Sequence, residues 1–214
     1  MITQSRLLLR DIRAGLVDLI FPPTCVNCAR VGSFLCSICR EDEIYAIPHA
    51  LPQIEGIVGF TAVGLHRGAI RAGVHALKYE DVRGVAHPLA ELLVPHIQWT
   101  FDAIIPVPLH YLRLQKRGYN QANLLAQALS ERIRIPVLED ILIRTRATTS
   151  QVELSAAERR ENVAEAFSIN GNVPPRVLLI DDVCTTGSTL TAAAQALQQA
   201  DVKTIYAATV SLAS

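Results

Sequence analysis

Along the chain, short unbroken apolar runs alternate with stretches whose apolar residues recur every three to four positions. Residues 57–62, 103–107, 141–144, 176–180 and 204–210 have the length and β-branched content of buried strands. Between them, residues 67–78, 86–97, 119–133 and 187–200 carry helical spacing. Apolar runs without polar alternation belong to strands covered on both faces. The order of elements therefore predicts an α/β fold, with a mostly parallel sheet flanked by helices. A different region precedes it. Leu8, Ile12, Leu16, Leu19 and Ile20 share one face of a helix over residues 5–20, which stops at Pro22-Pro23. Its polar face carries fewer cations than a membrane-surface helix needs, so it is expected to pack against its own protein. An acidic, proline-containing stretch (Glu41, Asp42, Glu43, Pro48, Pro52) marks a boundary near residue 50, dividing a small unit over 1–50 from a larger domain over 51–214.

Composition narrows the class. The chain has 214 residues, half of them hydrophobic and 19% charged, which is too apolar for a disordered polypeptide. Twenty basic side chains balance twenty acidic ones, so broad polyanion binding is not announced and any anion site must be local. Arg6, Arg10, Asp11, Arg13 and Asp18 interrupt the apolar residues at the N-terminus, which excludes a signal-peptide core. No stretch approaches the roughly 18 apolar residues of a spanning helix. A soluble, cytoplasmic protein without a membrane span is expected.

Four of the five cysteines fall together as Cys25-x2-Cys28-x7-Cys36-x2-Cys39. Two such knuckles can each close a tight turn with both thiolates aimed at one ion, and four thiolates suit tetrahedral Zn²⁺ in a closed, structural site. Disulfides are the competing reading, disfavoured in a reducing cytosol, and a redox pair needs only one Cys-x2-Cys. The spacing points to metal but not to purpose: such a unit serves as a folding staple or as a docking surface for a protein partner.

The densest signal is Val177-Leu178-Leu179-Ile180, then Asp181-Asp182, then, after Val183-Cys184, Thr185-Thr186-Gly187-Ser188-Thr189. A strand buried on both faces cannot absorb two carboxylates, so the acids are expected at its carboxyl end, where parallel sheets bind ligands. The hydroxyl-rich turn leads into a helix beginning near Leu190 and offers amides and hydroxyls to a phosphate. Carboxylates repel phosphate but accept hydrogen bonds from hydroxyls. The site thus asks for adjacent hydroxyls beside a phosphate, the shape of ribose 5-phosphate. A solvated acidic turn with a Ser/Thr helix cap would use some of the same residues, although it does not require so many positions to agree. A Walker A loop fits less well, because no Gly-Lys-Ser/Thr follows the strand. Cys184 reads as a packing residue rather than a reactive thiol.

Two further segments carry charge. A strand stops at Pro106-Val107-Pro108, and a turn with Arg113, Lys116, Arg117 and Gly118 follows; taken alone, these cations are an ordinary solvated helix entrance. Residues 144–162 contain Arg144, Arg146, Thr148, Thr149, Ser150 and Gln151, then a capping box Ser155-x2-Glu158 ahead of Arg159, Arg160 and Asn162. A long polar loop of this kind is a lid or a surface excursion. The six histidines show no metal-binding spacing; all but His110 read as structural or surface residues. Charge is segregated: residues 113–160 hold nine basic against five acidic side chains, and residues 161–214 hold two against five.

Residues 177–189 resemble the PRPP (5-phosphoribosyl 1-pyrophosphate) signature of type I phosphoribosyltransferases. More closely, the chain resembles the ComF family, phosphoribosyltransferase-like proteins linked in some bacteria to natural competence. The matching pieces are Leu19-Ile20-Phe21-Pro22-Pro23 leading to the cysteines, Leu77-Lys78-Tyr79, Pro106-Val107-Pro108-Leu109 and Arg117-Gly118-Tyr119-Asn120-Gln121. Thr148-x2-Gln151-x2-Leu154 running on to Arg159-x2-Asn162-x3-Ala166-Phe167 completes the set. The family usually has Phe where Tyr119 stands. The resemblance implies that Asp181 and Asp182 fix the ribose hydroxyls and favour the cation that develops at C1′, acting as the catalytic acids. It implies that Thr185, Thr186, Gly187, Ser188 and Thr189 hold the 5′-phosphate. Val107, Pro108, Lys116, Arg117 and Gly118 would form the pyrophosphate loop, acting with Mg²⁺, and Arg144, Arg146, Thr148, Gln151 and Arg159 would belong to a flexible loop closing over the substrate. No residue identifies the acceptor that attacks C1′. Two functions follow: transfer of phosphoribose to an unidentified acceptor, or a non-catalytic role binding PRPP or a related nucleotide or serving DNA uptake beside a helicase-type partner. Single-stranded DNA contact belongs to the second.

Overall fold

Residues 22–44, 51–145 and 166–213 are described in a computed structural model. Their strands are β1 (Gly59–Leu65), β2 (Ala103–Pro106), β3 (Leu142–Arg144), β4 (Phe167–Ile169), β5 (Arg176–Cys184) and β6 (Thr204–Leu212). Their helices are α1 (Ser37–Ile44), α2 (Gly68–Tyr79), α3 (Ala86–Leu93), α4 (Tyr111–Arg117), α5 (Gln121–Ile133) and α6 (Ser188–Gln199). β1, β6, β5 and β2, in that order, form one parallel sheet, while β3 and β4 pair antiparallel as a separate ribbon.

The apolar run of β5 explains the layers. Leu178 and Ile180 share a core with Ile70, Leu77, Leu89, Leu93, Leu125 and Leu129 from α2, α3 and α5. Val177 and Leu179 belong to the opposite core, with Leu190, Ala193 and Leu197 of α6 and with Leu142 and Phe167 of the ribbon. Side chains alternate across the sheet with period two, so a strand between two cores has no polar positions to spare. Leu178 and Leu179 are fully buried, and truncating either to Ala would cost about 2–5 kcal/mol.

The cysteine unit is packed onto the first core. Leu35, Cys25, Cys36 and Cys39 are buried in the cluster that holds α2 and α3. Arg40 Nε donates to the Leu35 carbonyl at 2.9 Å, and its guanidinium pairs at 2.6 Å with Glu91 of α3, which also pairs with Arg132 of α5. Phe34 lies so close to Gly84 that a Cβ there would sit 2.2 Å from its ring, so only glycine permits the approach.

Several elements differ from the sequence expectation. β5 does not stop at Ile180 but continues through both aspartates to Cys184, because β6 is long enough to pair it that far. Residues 111–117 form helix α4 rather than a turn. The strand expected at 141–144 is outside the main sheet and pairs with β4, which was not anticipated. The helix expected over 86–97 ends at Leu93 and continues as a single 3-10 turn, Val94–His96, at Pro95. The helix expected over 5–20, Pro48 of the acidic stretch and the loop from Arg146 to Asn162 lie outside the described residues.

Candidate functional site

The cleft begins where two neighbouring strands end at different heights. β2 pairs with β5 only as far as Pro106 opposite Ile180, with Val107 N–H adding a bond to the Ile180 carbonyl at 2.9 Å. Beyond that point β5 keeps β6 on one side, with Asp181 opposite Thr209 and Val183 opposite Ser211, and among the described residues no strand pairs with it on the other. Asp181 and Asp182 occupy this half-open stretch. Alternation from Ile180 turns Asp182 toward α2, where Lys78 Nζ lies 2.9 Å from its Oδ2. Asp181 continues the face of Leu179, toward the β3–β4 ribbon.

The turn after β5 is shaped by Gly187, whose φ of +79° places it in the left-handed region as the N-cap of α6. Thr186 Oγ1 accepts from Ser188 N–H at 3.4 Å at the start of this twelve-residue helix, whose first-turn amides have no intrahelical acceptor and so suit an anion. Across the cleft, Asn120 ties the loop down: its Nδ2 donates to the Val107 carbonyl at 3.0 Å, and its Oδ1 caps α5 at Ala122 N–H, 3.1 Å away. His110 is buried, and its Nδ1 accepts from Leu112 N–H at 3.4 Å, capping α4. Gly118 closes α4 at φ +80°. Arg117 then donates to Gln121 Oε1, with its guanidinium 5.6 Å from the centre of the Tyr79 ring.

These elements enclose a cleft of about 370 Å³. Of the residues singled out from sequence, Asp181, Asp182, Thr185, Thr189, Val107, Pro108, Arg117 and Arg144 line it. Gly187 and Ser188 line a smaller adjoining hollow with Thr185 and Thr189. Thr186, Lys116 and Gly118 are exposed and outside the cleft lining. Arg146, Thr148, Gln151 and Arg159 lie outside the described residues.

The structure adds His66, Lys78 and Tyr79, which sequence reading did not assign to the site. His66 follows β1, and its Nδ1 lies 2.9 Å from Ser211 Oγ. Burial, then Lys78 and Arg71, pull its pKa down against the opposing pull of Asp182. The available signal was topological: every parallel strand delivers its carboxyl end to the same edge, so the residue after β1 is a site candidate.

Electrostatically, the acid pair cannot carry two full charges. Burial, and then the neighbouring Asp182, push the Asp181 carboxyl up to about 8, opposed by the backbone hydrogen bond between them and by Lys78. Arg144 stacks over the Phe167 ring at 5.4 Å; burial and Arg113 draw its pKa down, while Asp181 draws it up. Such a floor of two close carboxyls, with cations around it, suits a ligand that is neutral at its hydroxyls and anionic elsewhere.

The cysteine cluster passes a geometric test. Its four Sγ atoms lie within 4.8 Å of one another, and Cys28 and Cys36 are 3.6 Å apart. Tetrahedral Zn²⁺ with Zn–S bonds of about 2.3 Å requires sulfur separations of about 3.8 Å. Asn27 Nδ2 donates to Cys39 Sγ at 3.3 Å, and Cys36 N–H points to Cys25 Sγ at 3.5 Å, the outer hydrogen bonds a thiolate site needs. Burial raises the Cys25 thiol, but backbone amides outweigh it and bring it to about 6. The Asn27 amide lowers Cys39, yet burial and the three other cysteines lift it to about 12. Four thiolates so close cannot all be ionised without a cation among them. The set fits a metal such as zinc.

A parallel sheet with an acid pair, a hydroxyl turn before a helix and arginines converging at its carboxyl edge defines a phosphoribosyltransferase-like domain. The comparisons agree. The phosphoribosyl transferase domain model matches residues 82–213. The chain is 48% identical over 198 residues to competence protein F of Haemophilus influenzae, covering 85% of this chain and 86% of that protein. It is 38% identical over 141 residues to the DNA utilization protein YhgH of Escherichia coli O157:H7, covering 62% of each. The chain belongs to the phosphoribosyl transferase domain family, within which its relatives carry competence and DNA-utilization names. Among solved structures, the glutamine PRPP amidotransferase of B. subtilis aligns at a TM-score of 0.46 and 19% identity, covering 64% of this chain and 30% of that one, a distance at which no residue role is carried over. Among the described residues, no helix is long and apolar enough to cross a membrane.

Proposed function

We propose that the protein binds PRPP in this cleft and transfers its phosphoribosyl group to an acceptor, releasing pyrophosphate. The observation that carries the reading is the convergence of Asp181, Asp182, Thr185 and Thr189 with Arg113 and Arg117 around one cavity. Asp181 and Asp182 accept hydrogen bonds from the ribose hydroxyls, and the amides of the turn at 185–189 hold the 5′-phosphate. As the bond from C1′ to pyrophosphate lengthens, positive charge grows on the ring, and the acid pair stabilises it. Arg117 neutralises the leaving group by bidentate contact. Mg²⁺, carried largely by the ligand's own phosphates, would add charge neutralisation at the pyrophosphate. Zn²⁺ held by Cys25, Cys28, Cys36 and Cys39 would be structural.

The test is direct. Mg²⁺-PRPP is expected to bind, and Asp181→Asn combined with Asp182→Asn to abolish binding with zinc content unchanged. Undisturbed affinity in the double variant overturns the site. Pyrophosphate release across a panel of bases and amines identifies the acceptor.

A second reading is favoured by the competence and DNA-utilization names of the relatives. Here the cleft senses PRPP or a nucleotide without turnover, and the protein serves DNA uptake. The cysteine unit, which exposes Val31 and Ile38, would dock a helicase-type partner. Tight PRPP binding without release under every acceptor selects this reading, as does binding of single-stranded DNA that weakens with salt.

A further inference from the structure

Lys78 stands in the last turn of α2, and its side chain is 20% exposed where it meets Asp182, itself 5% exposed, at 2.9 Å. That Asp182 oxygen is thus held by an ion pair, without a hydrogen bond, in the free protein. Two adjacent carboxyls in so enclosed a site repel, and a cation beside them offsets that repulsion. Lysine suits an exchange of partners: a compact ammonium on a flexible four-carbon stem, where arginine's fork would fix one geometry. It lies beside Tyr79, over which Arg117 stacks, so its alternative partner is whatever anion Arg117 meets.

We propose that Lys78 is a positioning residue. It pairs with and orients the Asp182 carboxyl in the free protein, then turns to a phosphate oxygen of the ligand when ribose hydroxyls replace it there. The second half rests on the reading of the cleft as a PRPP site. Among the described residues, the other charged or titratable groups lining the cleft are Tyr79 on α2, Asp181 on β5, His66 after β1, Arg113 and Arg117 on α4 and Arg144 on β3. They are common to every variant compared, so a difference belongs to Lys78.

The experiment has two arms, using Lys78→Met, Lys78→Gln and Lys78→Arg, each checked for fold by zinc content and circular dichroism. In the ligand-free protein, carbon-13 titration of the aspartate carboxyls is expected to show the acid pair's lower midpoint moving up by about one unit or more in Lys78→Met and Lys78→Gln. Lys78→Arg, which keeps the charge, should move it less than half as far. With Mg²⁺-PRPP at pH 7.5, calorimetry is expected to show at least tenfold weaker binding for the neutral variants. Unmoved midpoints overturn the counter-ion role. Shifted midpoints with affinity within twofold of the parent overturn the turn toward the ligand. Failure of the parent protein itself to bind, with midpoints that still shift, removes the PRPP reading while the counter-ion role stands.

Discussion

Tyr119 offers the sharpest measure of how the cleft is supported. Its hydroxyl donates at 2.5 Å to the carbonyl of Leu77, in the last turn of α2, and the ring is buried. Glu80 and Val82 N–H both go to Ala76 instead, so the phenol is the donor that satisfies Leu77 at this helix end. Tyr119→Phe removes one oxygen and leaves the ring in place, under the Arg83 guanidinium 4.5 Å from its centre. The packing loss is therefore small, and the effect is that of leaving a buried carbonyl unsatisfied, about 1–2 kcal/mol. For a chain of this size that corresponds to a fall in Tm of about 3–6 °C. Burial first, and then Asp81, raise the Tyr119 pKa, so the donor is intact throughout neutral pH. Urea denaturation can be followed through Trp99, the single tryptophan, which stacks on Tyr206 with ring centres 4.9 Å apart. Tyr111→Phe on exposed α4 is the control and should change stability by less than about 0.5 kcal/mol. A loss below that same threshold for Tyr119→Phe refutes the capping argument.

Gly187→Ala places a side chain at φ +79° with its Cβ 3.3 Å from Ile54 Cγ1. It should lose about 1–2 kcal/mol of stability and weaken ribose 5-phosphate binding, measured by melting and calorimetry. Gly118→Ala, equally strained but with nothing within 4 Å, should lose stability with smaller effect on that ligand. Because Asp181 titrates at about 8 in the folded chain and near 4 when unfolded, its protonated form favours folding, and stability falls as pH rises between those values. The Tm advantage of Asp181→Asn over the parent should therefore widen from pH 5 to pH 8.5; a constant or shrinking gap counts against the shift. Cys36→Ser should abolish a stoichiometric zinc and lower the Tm, read by metal analysis and calorimetry, since Leu35 and Cys36 share the core of α2 and α3.

Strand and helix order was legible because the two periods are encoded locally, and the unbroken run before Asp181 stated that β5 has two covered faces. The hydroxyl turn could be read for a similar reason, since its donors come from consecutive residues. What escaped was decided by partners distant in sequence. β5 extends past Ile180 because β6 carries Thr209 and Ser211 alongside it, and no local pattern states the length of a neighbour. Residues 111–117 carry no buried side chain and so lack the apolar stripe by which a helix is recognised; caps at His110 and Gly118 define them instead. Lys78 and His66 reach the cleft only because parallel connectivity returns α2 and β1 to the edge where β5 ends.

The same geometry limits how DNA could use this protein. A strand of phosphates lying across the cleft floor would meet Asp182, so polyanion contact falls to cations around the rim and on the outer face of α4. That helix supplies Arg113, Lys116 and Arg117, with Tyr111 exposed beside them for base stacking. Three phosphate contacts release few counterions, giving a slope of log affinity against log salt of about −2 for a single strand. A shallow slope abolished by PRPP would mean that ligand and DNA share Arg117. A slope well beyond that requires cations elsewhere on the chain, and would separate the DNA surface from the cleft altogether.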